Sequence, residues 1–319
     1  GGSGEQPGIN MSSTQPPESL TSLEHFLSVR DLSPGVLTDL IAFAVTRKQQ
    51  FLAGDLPRVL QGKVLAMIFQ KSSLRTRVAF EAAMTQLGGH AINLDDTQIG
   101  LGKREDVSDI AKVISSMCDG IVARVFGHTL VVQLAADSRV PVINGLSDWA
   151  HPCQALADLM TIQEHFGGEF TERKLAYIGD ANNVARSLFN ACLKVGMAFS
   201  IASPKGYELD NGLVQAADSL GAKSKARVQL TNDPRDAVRD ADVVYTDVWT
   251  SMGQETEQAD RAKVFAGYQI NADLLKAAKP TAIVLHCLPA HRGEEITAEV
   301  LNGPQSKVFQ QAENRLHSQ

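Results

Sequence analysis

Residues 64–84 read VLAMIFQKSSLRTRVAFEAAM, and this stretch decides the fold class. The apolar run 64–69 is typical of a buried strand, and 78–87 has the composition of a helix closed by two glycines. Between them, residues 72–77 supply serine hydroxyls and two guanidinium groups. Free N–H groups and the helix dipole favour an anion at a helix N-terminus, and arginine forks match phosphate oxygens. The stretch therefore predicts a small phosphorylated ligand bound without a nucleotide loop.

The two arginines of this stretch are predicted to have different roles. Arg75 and Arg77 are two residues apart, and residues at that spacing on a helix face different directions. We expect Arg75 to face the ligand. Arg77 lies four residues before Glu81, so the sequence leaves open whether Arg77 binds the ligand or forms a surface pair with Glu81.

Strand-like apolar runs alternate with helical segments along most of the 319 residues. The predicted strands are 64–69, 91–94, 120–125, 140–143, 174–178, 198–202, 228–230, 243–246 and 282–286. The predicted helices include 78–87, 106–117, 183–194, 213–220 and 273–278. Such alternation is typical of parallel sheets with helices on both faces, and the chain length favours two such units. We therefore predict an α/β fold with two doubly wound parallel-sheet domains.

The domain boundary is predicted at His151-Pro152, because proline suits the first turn of a helix. The first domain then covers 22–150 and the second 151–303, and a C-terminal helix over 304–319 packs back on the first. Residues 1–21 read as a tag and a disordered lead-in, with Met11 a plausible native start. Doubly wound sheets bind ligands beyond the carboxyl ends of their strands, so the active site is expected in the cleft between the domains.

Composition excludes several classes of partner. The net charge is −6, whereas nucleic acid and acidic membranes are bound by basic faces. No apolar run reaches the length of a membrane span, and the first residues lack the apolar segment of a signal peptide. The four cysteines are scattered and show no metal-ligand spacing. We expect free thiols, no metal and a cytoplasmic location.

Four polar segments follow predicted strands, at 72–77, 151–154, 247–255 and 286–289. In order they match the patterns Ser-x-Arg-Thr-Arg, His-Pro-x-Gln, Asp-x-Trp-x-Ser-Met-Gly and His-Cys-Leu-Pro. With these four motifs the chain resembles the aspartate/ornithine carbamoyltransferase family, in its ornithine branch. The resemblance extends from about residue 22 to Arg315, which is nearly the whole chain.

The resemblance implies an enzyme that transfers the carbamoyl group of carbamoyl phosphate to the δ-amino group of L-ornithine, giving citrulline and phosphate in arginine metabolism. The implied carbamoyl phosphate ligands are Ser73, Leu74, Arg75, Thr76, Gln98, Arg124, His151, Gln154, Cys287, Leu288 and Arg315. Residues 73–76 would hold the phosphate, Arg124 would reach phosphate and carbonyl oxygens, and His151 and Gln154 would bind the carbamoyl group. Leu74 departs from the family's usual threonine: it keeps the backbone N–H and loses a hydroxyl.

The resemblance also implies an ornithine site. Asn183, Ser251 and Met252 would bind the amino-acid end of ornithine, while Asp247 and Cys287 would lie near its δ-amino group. The implied catalytic residues are Arg75, Arg124, His151, Asp247 and Cys287. Neither a metal nor an organic cofactor is indicated, since residues 179–183 lack the second and third glycines of a dinucleotide fingerprint. The other cysteines and His286 are expected to be structural.

The resemblance further implies a homotrimer, or a multiple of it, in which Gln98 reaches the site of a neighbouring subunit. Three other acceptors remain alternatives: aspartate and putrescine, which the motifs disfavour, and N-acetylornithine. A non-catalytic binding protein on the same fold is the alternative from another class. The sequence leaves open whether the reaction serves arginine synthesis or breakdown, and which assembly forms above the trimer.

Overall fold

The computed structural model describes residues 15–168, 170–221 and 227–319. Its first half is built around a parallel sheet of four strands in the order β2-β1-β3-β4. The elements in chain order are α1 (Glu18–Thr21), α2 (Pro34–Ala53), β1 (Val64–Phe69), α3 (Arg75–Gln86), β2 (His90–Asp95), α4 (Asp96–Ile99), α5 (Val107–Met117), β3 (Gly120–Arg124), α6 (His128–Asp137), β4 (Val142–Leu146) and α7 (Pro152–Phe166).

The carboxyl ends of β1 and β3 lie side by side, because Phe69 is in register with Arg124. The chain places β2 on one side of β1 and β3 on the other, so the winding direction reverses between β1 and β3. Ligands of doubly wound sheets bind at such a reversal, beyond the carboxyl ends of the strands. The topology thus brings residues 70–76 and Arg124 to one place.

The second half contains a parallel sheet of five strands in the order β7-β6-β5-β8-β9. Its elements are β5 (Lys174–Ile178), α8 (Asn183–Val195), β6 (Ala198–Ala202), α9 (Asn211–Gly221), β7 (Val228–Thr231), α10 (Pro234–Val238), β8 (Val243–Thr246), α11 (Gln258–Phe265), α12 (Ala272–Leu275), β9 (Ile283–His286), α13 (Ala298–Leu301) and α14 (Val308–Ser318). The reversal here lies between β5 and β8. Ile178 is in register with Thr246, and Thr246 with His286, so Asp247 and Cys287 leave adjacent strands at the same level.

The predicted fold class is confirmed, and the largest differences between predicted and observed bounds concern three elements. Helix α3 begins at Arg75 rather than at residue 78, because its first turn is polar and apolar periodicity did not include it. Strand β4 begins at Val142, after Pro141, which has no N–H to donate to a sheet. Helix α12 ends at Leu275, since Ala278 N–H turns back to the carbonyl of Leu275 in a tighter i to i+3 turn.

Helix α2 has strong end signals although it was not predicted. The Ser33 side chain accepts from Val36 N–H, Pro34 occupies the first turn, and Gly54 ends the helix with a φ of 77°. Helix α14 packs against α2, α3 and α7, so the chain end lies against elements of the first half.

Most of the predicted lead-in, residues 1–14, lies outside the described residues. The end of that segment differs from the expected disorder, because Glu18–Thr21 form helix α1 against α2. All four cysteines are free thiols. Among the described helices, none combines the length and apolar character needed to cross a bilayer.

Candidate active site

The N-terminus of α3 presents unpaired backbone donors. Leu74 occupies the N-cap position and makes no side-chain cap bond, since leucine has no acceptor. The first helical pairing is made by Val78 N–H with the Leu74 carbonyl, at 3.0 Å. Leu74 is 68% exposed, and Ser73 before it is half-buried. The N–H groups of the first turn therefore point to an open region and are suited to an anion.

Arg77 lies on the protein surface. Its Nε donates to Glu81 Oε1 at 3.0 Å, and both side chains are about half exposed. Of the two possibilities that the sequence left open, the structure contains the surface pair. An exposed pair of this spacing contributes only about 0.3–0.5 kcal/mol to stability.

Two guanidinium groups donate to the buried Thr76 hydroxyl. Arg315 Nη2 donates to Thr76 Oγ1 at 2.6 Å, and Arg124 Nη1 approaches the same oxygen at 3.3 Å. Arg124 Nε is buried without a partner. Burial, followed by the positive charges of Arg315 and Arg75, lowers the pKa of Arg124 to about 10. The positive charges of these arginines repel one another. A bound anion would reduce that repulsion and would give Arg124 Nε an acceptor.

His151 lies at the start of α7 and is almost fully buried. Its side chain makes no helix-cap bond, and its Nδ1 is buried without a partner. Burial and then the charges of Arg315 and Arg124 hold the pKa of His151 well below its ordinary value. The ring is therefore neutral at neutral pH and has a free nitrogen for a ligand.

Gln154 lies one turn further along α7 and is fully buried. Its Oε1 accepts from Arg315 Nη1 at 2.8 Å, which places the amide oxygen beside the same arginine that reaches Thr76. The residues expected to hold the carbamoyl group and those expected to hold phosphate are thus joined through Arg315.

The acceptor side is centred on the Asp247 carboxylate, which leaves β8. Its Oδ1 accepts from Cys287 Sγ at 3.0 Å and from Val248 N–H at 2.8 Å. Its Oδ2 accepts from Asn182 Nδ2 at 2.8 Å. Asp247 and Cys287 are 8% and 6% exposed. The topology thus produces the predicted pair, oriented by an asparagine that the sequence reading did not include.

Cys287 is a thiol in this setting. Burial, followed by the negative charge of Asp247, raises the pKa of Cys287 well above its ordinary value. A protonated sulfur agrees with the short contact to the carboxylate, because S–H donates and the carboxylate accepts. The structure thus favours the thiol over the thiolate at Cys287.

The other expected ornithine residues lie at the edges of this site. Asn183 Nδ2 donates to the Ser147 carbonyl at 2.8 Å and so joins α8 to the loop after β4. Ser251 N–H donates to Gln254 Oε1 at 3.0 Å, which folds the loop after β8. Met252 is 49% exposed and open to a ligand.

The loop after β9 is held by His286, as expected for a structural residue. Its Nε2 contacts Glu295 Oε1 at 2.8 Å, and its Nδ1 accepts from Leu288 N–H at 2.8 Å. Leu288 has a φ of 60°, a left-handed conformation that is uncommon for leucine and turns the chain beside Cys287.

Gln98 is exposed on α4, directly after edge strand β2. Within the described ranges, it forms no hydrogen bond to another candidate residue. Its position agrees with a role outside its own subunit's site.

The two halves of the site face one another. Burial lowers the pKa of Arg75, and the titratable side chains of Cys287 and Asp247 act in the opposite direction, so these side chains lie within interaction range. Lys71, which the sequence reading missed, interacts with Asp148 and Glu255 across the same space. The sequence did contain a signal for Lys71, since it is a cation two residues after the end of β1 and two residues before Ser73.

Two groups of side chains in the described part of the chain have ligand-type atoms within 4.8 Å of one another. They are Asp247, His286 and Cys287, and His291, Glu294 and Glu295. In the first group, His286 uses both ring nitrogens and Cys287 donates to Asp247. The ligand atoms of this first group are already engaged in hydrogen bonds, so we assign no metal to it.

Two family profiles match the chain. Residues 24–164 match the profile described as "Aspartate/ornithine carbamoyltransferase, carbamoyl-P binding domain". Residues 171–319 match "Aspartate/ornithine carbamoyltransferase, Asp/Orn binding domain". The first range contains Arg75, Thr76 and Arg124, and the second contains Asp247, Cys287 and Arg315.

Individual proteins are similar over almost the whole chain. A protein named ornithine carbamoyltransferase from Bacillus subtilis (strain 168) is 54% identical over 293 residues, covering 92% of this chain and 90% of that protein. The solved structure of ornithine carbamoyltransferase from Pyrococcus furiosus is 48% identical, with a TM-score of 0.89, covering 92% of this chain and 94% of that one. The anabolic ornithine carbamoyltransferase from Campylobacter jejuni is 38% identical, with a TM-score of 0.86 and coverages of 92% and 96%.

Proposed function

The chain belongs to the aspartate/ornithine carbamoyltransferase family, and we propose that it transfers the carbamoyl group of carbamoyl phosphate to the δ-amino group of L-ornithine. The observation that carries this proposal is the facing arrangement of three arginines and the Asp247–Cys287 pair. One side is suited to a phosphorylated acyl group and the other to an amine. The carboxylate gives the cationic end of ornithine a counter-charge within a largely buried setting.

Carbamoyl phosphate is proposed to bind with its phosphate at the N-terminus of α3. The backbone N–H groups of residues 74–76 and the Arg75 guanidinium would hold the phosphate oxygens, with Ser73 beside them. Arg124 would reach the bridging and carbonyl oxygens with the nitrogen that now has no partner. His151, Gln154, Leu288 and Arg315 would enclose the carbamoyl group.

The reaction is an attack of a neutral amine on the carbamoyl carbon. The C–O bond to phosphate breaks as the C–N bond forms, and negative charge grows on the carbonyl oxygen. Thr76, Arg124 and neutral His151 offer donors for that charge, and the leaving phosphate stays among the arginines. Holding both reactants in this geometry contributes about 7–11 kcal/mol toward the barrier by orientation alone.

Ornithine carries an ammonium group that must lose a proton before it can attack. The Asp247 carboxylate is placed to bind this group and to receive the proton, and the Cys287 thiol fixes the orientation of the carboxylate. Asn183, Ser251 and Met252 are proposed to bind the α-amino and α-carboxylate groups, which distinguishes ornithine from putrescine.

A product assay tests the acceptor. With carbamoyl phosphate fixed, the purified protein is offered ornithine, putrescine, N-acetylornithine or aspartate, and carbamoylated product is quantified. We expect citrulline from ornithine at a kcat/KM at least about 10²-fold above that of any other acceptor, because unpaired polar groups penalise an incomplete ligand. Equal or greater turnover of another acceptor would remove ornithine from the assignment.

The assembly is proposed to be a homotrimer in which Gln98 completes the site of a neighbouring subunit. Its exposure on α4, which leaves the side chain open to a partner subunit, supports this proposal. We predict that Gln98→Ala and Arg75→Ala are each nearly inactive alone. Mixed trimers should regain activity, because some sites then combine an intact Arg75 with an intact Gln98 from the next subunit.

The matched control for subunit mixing is Arg75→Ala with Arg124→Ala. Both arginines come from the same subunit, so no mixed trimer contains an intact site and activity should stay absent. The shared site is supported if activity recovers only when Gln98→Ala is mixed with Arg75→Ala. A fully active monomer, or a fully active Gln98→Ala protein, would exclude it.

We also propose a cytoplasmic location and a role in arginine metabolism. The four free cysteines are typical of a reducing compartment. The Campylobacter jejuni relative is named anabolic, which favours arginine biosynthesis.

A further inference from the structure

Four buried polar side chains form one hydrogen-bonded group where α7 contacts α14, and the two from each helix are one helical turn apart. Helix α7 carries Gln154 and Asp158, and α14 carries Gln311 and Arg315. Residues four apart lie on the same face of a helix. All four side chains belong to residues that are at most 2% exposed. Buried polar groups persist only with partners, so the bonds among these four define their roles.

Gln154 is the centre of this buried group. Its oxygen accepts from Arg315 Nη1 at 2.8 Å, and its nitrogen donates to Asp158 Oδ1 at 3.0 Å and to Gln311 Oε1 at 2.6 Å. Gln311 in turn donates from Nε2 to the backbone carbonyl of His286 at 2.6 Å. Asp158 also accepts from the Tyr245 hydroxyl at 2.9 Å.

The ends of this chain of hydrogen bonds determine which way both amides point. An arginine side chain only donates, and a backbone carbonyl only accepts. Gln154 must therefore turn its oxygen toward Arg315, and Gln311 must turn its nitrogen toward the His286 carbonyl. Rotating either amide by half a turn would bring two donors or two acceptors together. The bonds thus permit one orientation of each amide.

Within the described part of the chain, one hydrogen-bonding position of Gln154 has no partner. Both of its N–H groups are donated and one lone pair of its oxygen accepts from Arg315, which leaves the second lone pair. Arg124 and Arg315 both donate to the neighbouring Thr76 hydroxyl oxygen, and guanidinium groups accept no hydrogen bond, so none of these groups offers a ready acceptor. A ligand N–H group at this place finds its acceptor in the Gln154 oxygen.

We propose that Gln311 and Asp158 are positioning residues that hold the Gln154 oxygen toward the carbamoyl pocket, so that the site selects a substrate with N–H donors on its reacting carbon. This inference rests on the proposed carbamoyl transfer. It separates carbamoyl phosphate from acetyl phosphate, which has a similar shape but a methyl group that donates no hydrogen bond. Gln311 also connects this selection to the acceptor side, because the His286 carbonyl directly precedes Cys287.

The test replaces Gln311 with methionine, which has a similar shape and no amide. Citrulline formation gives the KM for carbamoyl phosphate, and acetyl phosphate is added as a competitive inhibitor. We expect the KM to rise about tenfold, since one oriented hydrogen bond is weakened, while the inhibition constant of acetyl phosphate changes less than about twofold. Gln310→Met is the control, because partly buried Gln310 bonds Glu164 instead and should leave both constants unchanged.

Gln311→Glu gives an independent readout. An ionised glutamate accepts from Gln154 but cannot donate to the His286 carbonyl, whereas the protonated form does both. Burial raises the pKa of a carboxyl group, so protonation is within reach at mildly acidic pH. We expect the ratio of the Gln311→Glu KM for carbamoyl phosphate to the wild-type KM to be near one at pH 6 and clearly above one at pH 8.5. Gln311→Met should show no such recovery.

The outcomes separate this inference from the proposed function. Suppose that wild type forms citrulline and that Gln311→Met keeps the wild-type KM for carbamoyl phosphate and the wild-type inhibition constant of acetyl phosphate. The positioning role is then refuted. A parallel rise of both constants also refutes it, because that result indicates general loosening of the phosphate site. If Gln311→Met does not fold, the pH comparison of Gln311→Glu decides. A wild type that forms no citrulline overturns the proposed function, and this inference with it.

Discussion

Replacing Arg75 with alanine is expected to lower kcat/KM for carbamoyl phosphate by about 10³-fold. The guanidinium sits in the first turn of α3, where it would hold phosphate both in the substrate and as it leaves. Loss of one such charge-assisted donor costs about 1.5–3 kcal/mol in binding, and loss of a donor to developing charge costs about 10²–10³ in rate. Steady-state kinetics with saturating ornithine measures the effect.

The fold is expected to survive this change. Arg75 adds to the positive charge around Arg124, so its removal relieves repulsion in the unliganded protein. Arg77→Ala is the matched control: it removes the same side chain two residues away and loses only an exposed pair with Glu81. Its kcat/KM should stay within about twofold of wild type. Wild-type turnover by Arg75→Ala, or equal losses in both variants, would remove Arg75 from the mechanism.

Replacing Asp247 with asparagine is expected to lower kcat/KM for ornithine by about 10²–10³-fold, which is the range for loss of a general base. The substitution keeps the size of the side chain and removes the counter-charge and the proton acceptor. The KM for carbamoyl phosphate should change less than about threefold, because the residues proposed to hold the phosphate lie mainly in the first half of the chain. Initial rates with each substrate varied in turn separate the two effects.

Two controls make the Asp247 result specific. Asp273→Asn makes the same chemical change on the exposed surface and should leave both constants unchanged. Cys287→Ser keeps a donor to Asp247 and should weaken ornithine use less than Asp247→Asn does, again without affecting carbamoyl phosphate. Equal losses for both substrates in Asp247→Asn would count against the acceptor-side assignment.

The sequence predicted those parts of the fold that depend on local pattern. Val64–Phe69 reads as a strand because a parallel strand covered on both faces is apolar throughout, and the observed bounds agree. The start of α3 was missed because its first turn is polar. Helix α2 was also missed, although a serine cap, a proline and a terminal glycine marked its ends.

The candidate site was predictable where residues follow strands. Asp247 and Cys287 meet because β8 and β9 are adjacent and in register, which an alternating α/β pattern favours. Lys71 and Asn182 were overlooked, because neither stands within a motif that specifies a ligand. Gln311 could not be identified from local pattern, since its role depends on the packing of α14 against α7 and on the carbonyl of His286.

The central claim is that the arginine cluster holds an acyl phosphate while Asp247 and Cys287 present the distal nitrogen of ornithine to it. The most direct measurement is calorimetric binding of a stable compound that joins a phosphonoacetyl group to the δ-nitrogen of L-ornithine. We predict that wild type binds this compound with a Kd of about 1 µM or tighter. Binding should be weakened at least about 10²-fold in Arg75→Ala and also in Asp247→Asn, because the compound contacts both halves of the site. Absence of binding by wild type, or binding that either substitution leaves unchanged, would contradict it.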